Sequence, residues 1–322
     1  MNPNTNLRIK ALRTIMEKEG IAAFIIPSTD PHLSEYVAPH WESRKWISGF
    51  TGSAGTVVIT HHEAGLWTDS RYFLQAAQQL EGTEIVLYKE MLPETPSIPA
   101  FLAAHLKAEE TVGIDGKMFS ATQVALLEKE LAEANISIKA IADPMEELWT
   151  DRPSIPNTPA FIYDICYAGK SCEEKIETIR KAILKDDAKY ILLTALDEIA
   201  WTLNIRGNDV HCNPVVISYL LIGQDSVHFF IEPEKVTKEL AAYLHHSKIE
   251  IHSYNEIEQF LKQLNNTSIL AEPSKTNYSV YSAIAPECTI VTGPSPVSLL
   301  KAIRNEQEIS GIRSAMLKDG VA

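Results

Sequence analysis

Residues 7–19 place Leu7, Leu12, Ile15 and Met16 near one helical face with charged residues between them. This spacing predicts an amphipathic helix. Gly20 ends it, and 22–26 reads as a short buried strand closed by Pro27. The pattern recurs later in the chain. IKALRTIMEKEGIAAFII at 9–26 aligns without gaps on IETIRKAILKDDAKYILL at 176–193, displaced by 167 residues. Ile9 matches Ile176, Leu12 matches Ile179, and Arg13 matches Arg180. Each copy continues into two apolar runs joined by a polar turn, GTVVIT and GLWTD in the first, PVVISYLLI and VHFFIE in the second, which predicts a hairpin. Helical stretches follow at 70–80 and 234–244. Further strand and helix segments then alternate in both halves. Hairpins supply antiparallel pairing and helix-linked strands supply parallel pairing, so each half is expected to be an α/β domain with a mixed sheet flanked by helices.

Between the halves, TDRPSIPNTPA at 150–160 carries three prolines and reads as a linker. The expected division is 1–157 and 158–303, the second domain closing near TGPSP at 292–296. Beyond it, Ile309, Ile312 and Met316 recur at helical spacing up to Ala322. Both preceding domains read as complete, so 304–322 is expected to be the first helix of a third domain.

Composition narrows the function. Acidic residues outnumber basic ones 42 to 29, for a net charge of −13, with no Lys/Arg-rich run. An acidic surface repels phosphate backbones, which excludes nucleic acid as a partner. The N-terminus has no signal-peptide core, and no apolar run of about 18 residues predicts a membrane span. Cys166, Cys172, Cys212 and Cys288 form no C-x-x-C pair and read as reduced thiols of a cytoplasmic protein.

Arg71 is the leading site candidate. The segment 66–68 ends a strand, Asp69 reads as a helix N-cap, and Ser70 would start the helix. A cation in the first turn opposes the helix dipole by a few tenths to about 1 kcal/mol. The position therefore suits either an anion ligand, with free backbone N–H groups nearby, or a plain pairing with Asp69 or another local carboxylate. The second copy reads IEPEKV there and has no arginine, so the fold does not demand one. Other candidates are weaker. SGFTGSAG lacks the P-loop ending and the dinucleotide spacing and reads as a tight loop entering a strand. Ser28, Thr29, Asp30, His32, Ser34, Glu35 and Tyr36 form a polar loop after the first strand that reads as either a solvated inter-domain loop or a binding surface, and Asp30, His32 and Glu35 are possible metal donors with no converging partners. His61–His62 and His245–His246 are adjacent pairs, poorly placed to chelate from a strand. DEIAWTLNIRG at 197–207 reads as a structural helix capped by Asp197, with Ile199 and Leu203 inward and Trp201 at an interface.

Several stretches together resemble the three-domain cytosolic Xaa-Pro aminopeptidases of the creatinase/prolidase-like superfamily. They are SEYVAP at 34–39, SGFTGSAGT at 48–56, LWTDSRYFLQAA at 66–77, WTDRP at 149–153, TALDEIAWTLNIRGNDVHCNPVVISYLLIG at 194–223 and KAIRNEQEISGIRSAMLKDGVA at 301–322. The resemblance implies two tandem creatinase N-terminal-like domains, related to ribonuclease H, ahead of a "pita-bread" catalytic domain. It implies a metallopeptidase that removes the residue preceding proline from short peptides. Such an enzyme uses two divalent metal ions, usually manganese, held by two Asp, one His and two Glu of the third domain. It is commonly a homodimer. None of those ligands can be placed in this chain, so the fragment is expected to be inactive and to hold no metal of that centre. The resemblance further implies that Arg71, in the WTD-x-R motif, contacts the distal part of a peptide substrate. Two rival expectations are a stand-alone binding module and a creatinase-like amidinohydrolase.

Overall fold

The computed structural model describes residues 3–322. They form two compact units, residues 3–155 with Asn277–Ser279, and Pro156–Thr276 with Val280–Ala322. The strands of the first unit are β1 (Ala23–Ile26), β2 (Thr56–Thr60), β3 (Ala64–Thr68), β4 (Ile85–Lys89), β5 (Thr111–Asp115) and β6 (Ser137–Ile141). Those of the second are β7 (Phe161–Ile162), β8 (Tyr190–Leu193), β9 (Ile205–Arg206), β10 (Ser218–Gly223), β11 (Val227–Ile231), β12 (Glu250–His252), β13 (Ser268–Ala271) and β14 (Thr289–Thr292).

The first sheet runs β4-β3-β2-β1-β5-β6 and the second β12-β11-β10-β8-β13-β14. In both, the central three strands are joined antiparallel, and the outer strands add in parallel. Sheet order and strand direction therefore repeat, as the sequence repeat requires. Both hairpins form as expected.

The repeat extends to single hydrogen bonds. In the helix Pro3–Glu19, Ile9, Leu12 and Met16 are fully buried. Their counterparts in the helix Cys172–Ile183 are Ile176, Ile179 and Ile183, all at most 3% exposed. Leu7 does not join this face and is 63% exposed, and Thr5 takes the inward position one turn before Ile9. A left-handed residue closes each segment, Gly20 at φ 67° directly after the first helix and Asp187 at φ 55° after a 3-10 turn, Leu184–Asp186, that extends the second. Ile21 N then donates to Met16 O and Ala188 N to Ile183 O, a Schellman-type closure. Arg13 Nε donates to Thr60 O at the end of β2, and Arg180 Nε to Gly223 O at the end of β10, both at 2.8 Å. One arginine in each copy thus pins the helix to the same point of its hairpin.

Some boundaries differ from expectation. The helix placed at 70–80 is Phe73–Gln79. The one placed at 234–244 divides into a 3-10 turn, Pro233–Lys235, and a helix, Lys238–His246, where the Thr237 hydroxyl accepts from Leu240 N. The helix at 197–207 is Leu196–Leu203, and its N-cap is Ala195 with no side-chain cap. Asp197 lies inside its first turn and pairs with Lys301. Ile199 and Leu203 are buried as expected. Trp201 is half-buried, and its indole N–H donates to Glu308 Oε1.

The segment 151–160 carries no helix or strand. Its last residues are held by a buried charge pair. Ala160 N donates to Lys235 O, and Lys235 Nζ lies 2.6 Å from Asp209 Oδ2, with the Lys235 side chain 0% and the Asp209 side chain 1% exposed. Asp209 Oδ2 also accepts from Ile217 N. No helix among the described residues is long and apolar enough to cross a membrane. All four cysteines are free thiols.

Lys235→Met would strand the Asp209 carboxylate in an apolar interior and should destabilise the second unit by about 3–5 kcal/mol. Asp209→Asn together with Lys235→Met removes both charges and should recover part of that loss, as read by urea denaturation. Equal losses in the single and double variants would show that the charge pair is not what holds this corner.

Candidate functional site

The turn after β3 presents Arg71. Asp69 does not cap the helix, which begins at Phe73 after a Tyr72 N-cap that makes no side-chain cap bond. Instead, Asp69 Oδ1 accepts from Arg71 N, and Asp69 O accepts from Tyr72 N. These bonds close a turn and occupy the N–H groups that were expected to be free. Arg71 therefore stands ahead of the helix, and the dipole argument does not apply to it. Its Nε and Nη2 donate side-on to Asp69 Oδ1 and Oδ2, at 2.9 and 2.8 Å. The pairing with Asp69 that the sequence allowed is thus formed. It raises the Arg71 pKa and holds the Asp69 carboxyl below its ordinary value. The Arg71 side chain is nevertheless 66% exposed, and its Nη1 makes no hydrogen bond among the described residues. Asp69 therefore aims the fork and leaves one edge for a further acceptor.

The glycine loop supports this turn. Ser53 Oγ and Tyr72 Oη lie 2.6 Å apart, and Gln79 Oε1 accepts from Thr51 N. A Cβ on Gly52 would come within 2.3 Å of the Phe50 ring and 2.8 Å of Tyr72, so only glycine fits beneath the two aromatics. The loop also carries a feature that sequence inspection missed, the buried Arg44. Its guanidinium donates to Phe50 O, Gly52 O and Ser28 Oγ. Ser28 Oγ in turn donates to Gly55 O. Burial pushes Arg44 down to about 10. SGFTGSAG is therefore a shell of carbonyls folded around a cation, which agrees with its reading as a structural loop. An arginine in the unremarkable string ESRKW gives no local signal of such a role.

The 28–36 loop is not solvated throughout. Asp30 is fully buried and His32 is 4% exposed. Asp30 Oδ1 accepts from His32 N and Ser34 N, and Pro31 O accepts from Asn277 Nδ2. Asp30 thus shapes the backbone. Asp30, His32 and Glu35 do not converge as metal donors. Among the described residues, the one group of three metal-capable side chains that converges is His228, Glu250 and His252. Two imidazoles and one carboxylate do not match the carboxylate-rich set implied for a dinuclear centre, so no chemistry of that centre is assigned here.

The WTDRP stretch is a structural clasp. Arg152 Nη1 donates to Asp143 Oδ2 and Glu146 Oε1, and Nε donates to His40 O. His40 Nδ1 donates to Pro153 O at 2.7 Å. Burial lowers the His40 pKa. Nearby, burial and then the Asp143 charge push Asp115 at the end of β5 up to about 6.

Two profiles, each described as Creatinase/Prolidase N-terminal domain, match residues 8–148 and 151–308. The chain belongs to the creatinase/prolidase N-terminal domain family. It is 36% identical over 330 residues to Xaa-Pro aminopeptidase 2 of Rattus norvegicus, covering 99% of this chain and 48% of the relative. It is 34% identical over 326 residues to Xaa-Pro aminopeptidase 1 of Dictyostelium discoideum, covering 98% and 51%. Among solved structures it resembles the X-prolyl aminopeptidase of Caenorhabditis elegans, described as a cytosolic enzyme with a di-nuclear active site. That match has a TM-score of 0.90 at 30% identity, over 96% of this chain and 53% of that one. The chain spans about half the length of the curated relatives it matches.

The raised Asp115 pKa has a defined consequence. The folded value of about 6 lies above the ordinary 3.8, so the folded state favours the protonated acid. The associated stability is fully present below about pH 4 and is lost as pH rises through 6. The loss is about 3 kcal/mol at roughly 1.4 kcal/mol per pH unit. Asp115→Asn cannot ionise and should gain on the wild type by about that amount between pH 4 and pH 7. Parallel stability curves for the two proteins would contradict the assignment.

Proposed function

We propose that this chain is the non-catalytic N-terminal part of a cytoplasmic, metal-dependent Xaa-Pro aminopeptidase, which removes an N-terminal residue preceding proline. The observation that carries this reading is the co-linear match. Nearly every residue of the chain aligns with Xaa-Pro aminopeptidases, while about half of each relative lies outside the match. In this reading, 1–157 and 158–303 are rigid creatinase-type domains that restrict the catalytic pocket to short peptides. The residues 304–322 begin the domain that holds two divalent ions, manganese by preference. The exposure of Ile312 and Met316 on the helix Glu306–Asp319 supports this assignment, since an apolar stripe of that kind favours a covering surface. The full-length protein is read as a homodimer, with peptides carrying proline in the second position as its substrates.

Arg71 is the substrate-binding residue of this proposal. Its exposed guanidinium, oriented by Asp69, donates from Nη1 to a carbonyl or carboxylate of the peptide beyond the proline. In the full-length enzyme, Arg71→Ala should lower kcat/KM for tripeptides and longer substrates by about tenfold or more, the worth of one charge-assisted hydrogen bond. Asp69→Asn, which frees the fork to wander, should give a smaller loss. Unchanged kcat/KM for Arg71→Ala would remove Arg71 from the substrate site.

A further inference from the structure

We propose that His228, Glu250 and His252 form a mononuclear binding site for a borderline divalent ion of the Zn²⁺ class, clamping the edge strand β12 to β11. The strand register brings the three side chains together. β11 and β12 pair in parallel, with His228 opposite Glu250 and Phe230 opposite His252. Residues two apart in a strand share a face, so all three donors emerge on one side of the ladder. His228 Nδ1 lies 3.1 Å from His252 Nε2 and 3.4 Å from Glu250 Oε2, and His252 Nε2 lies 4.0 Å from that oxygen. Ligand atoms bound to a tetrahedral ion at about 2.0–2.1 Å are separated by roughly 3.3–3.4 Å. The observed triangle brackets that separation, so an ion at its centre requires only small side-chain movements.

The surroundings fit the chemistry. His228 Nε2 lies 2.9 Å from Ser226 Oγ, a hydroxyl able to accept the Nε2 proton and so leave the Nδ1 lone pair for a metal. Phe230 stacks on His252 at 4.9 Å, and Phe260 packs against His228 at 4.6 Å and His252 at 5.2 Å, which fixes both imidazoles against an apolar wall. Glu250 stands on the open side, 64% exposed, so an ion can enter from solvent and keep one position for water. Without an ion, one ring nitrogen must donate to the other across 3.1 Å. On binding, the His252 proton moves to Nδ1 and both facing nitrogens become ligands. Two imidazoles select Zn²⁺ over the harder Mn²⁺ and Mg²⁺. Neither His228 nor E-I-H at 250–252 has a local sequence signature of a metal site. The two strands lie about twenty residues apart in sequence, and only their pairing reveals the triad.

The test is calorimetric titration of the chelator-stripped 322-residue chain with ZnCl₂, alongside CoCl₂ absorption spectra and thermal denaturation. The wild type should bind one Zn²⁺ per chain, show a visible Co²⁺ band with a nitrogen and oxygen ligand set, and melt at a higher temperature with Zn²⁺ than with EDTA. His252→Ala should abolish all three responses. Glu250→Gln changes an exposed side chain, keeps the fold readable, and should weaken binding. Ser226→Ala should lose about tenfold through His228 orientation. Absence of a stoichiometric site in the wild type, or undiminished binding in both His252→Ala and Glu250→Gln, would overturn the proposal.

Discussion

The left-handed reversal at the end of each long helix fixes where that helix meets its sheet. Gly20 and Asp187 turn the chain so that Ile21 and Ala188 return as buried residues. The strands β1 and β8 then start directly beneath the stripes Ile9–Leu12–Met16 and Ile176–Ile179–Ile183. Each of these strands pairs antiparallel with its hairpin on one side and parallel with a crossover strand on the other. Arg13 and Arg180 lock the same junction from the helix side. With that junction set, the hairpin has one edge to join and the crossover strands the other, and the identical order of the two sheets follows.

This part of the fold is legible in the sequence because it is local and periodic. Helix stripe, reversal, apolar strand and hairpin lie within about sixty residues of one another and occur twice. Legibility fails where a boundary depends on a turn that competes with a helix. Asp69 and Asp197 both have the chemistry of an N-cap, yet Asp69 closes a turn onto Arg71, and Asp197 sits inside the first turn and pairs with Lys301. It fails again for Leu7, whose hydrophobicity suggests the core although it lies on the outer face of its helix. It fails most completely for groups whose partners are distant in sequence. Arg44 is recognised only by the carbonyls that fold around it, and Lys175 only by Asn204 and the carbonyl of Trp201 beneath the helix Leu196–Leu203. The candidate site shows the same division. The sequence leaves the pairing of Arg71 with Asp69 as one of two open alternatives, and the freedom of Nη1 is visible only in the structure.

Most of the chain's buried polar chemistry is spent on shape. Arg44 holds a loop, Arg152 clasps three segments, and Lys235 and Asp209 secure the entry to the second unit. Asp30, fully buried, organises the loop after β1. Arg44 and Asp30 bond chiefly to backbone groups, whereas Arg152 and Lys235 are held chiefly by carboxylates. Arg71, by contrast, keeps its side chain 66% exposed.

We propose that this chain shapes access to chemistry carried by the rest of the polypeptide. The most direct measurement is hydrolysis of an Xaa-Pro tripeptide with Mn²⁺, assayed in parallel for the 322-residue chain and the full-length protein. The account predicts turnover by the full-length protein and none by the chain alone. Sustained turnover by the chain, surviving repurification and lost on chelation, would contradict it.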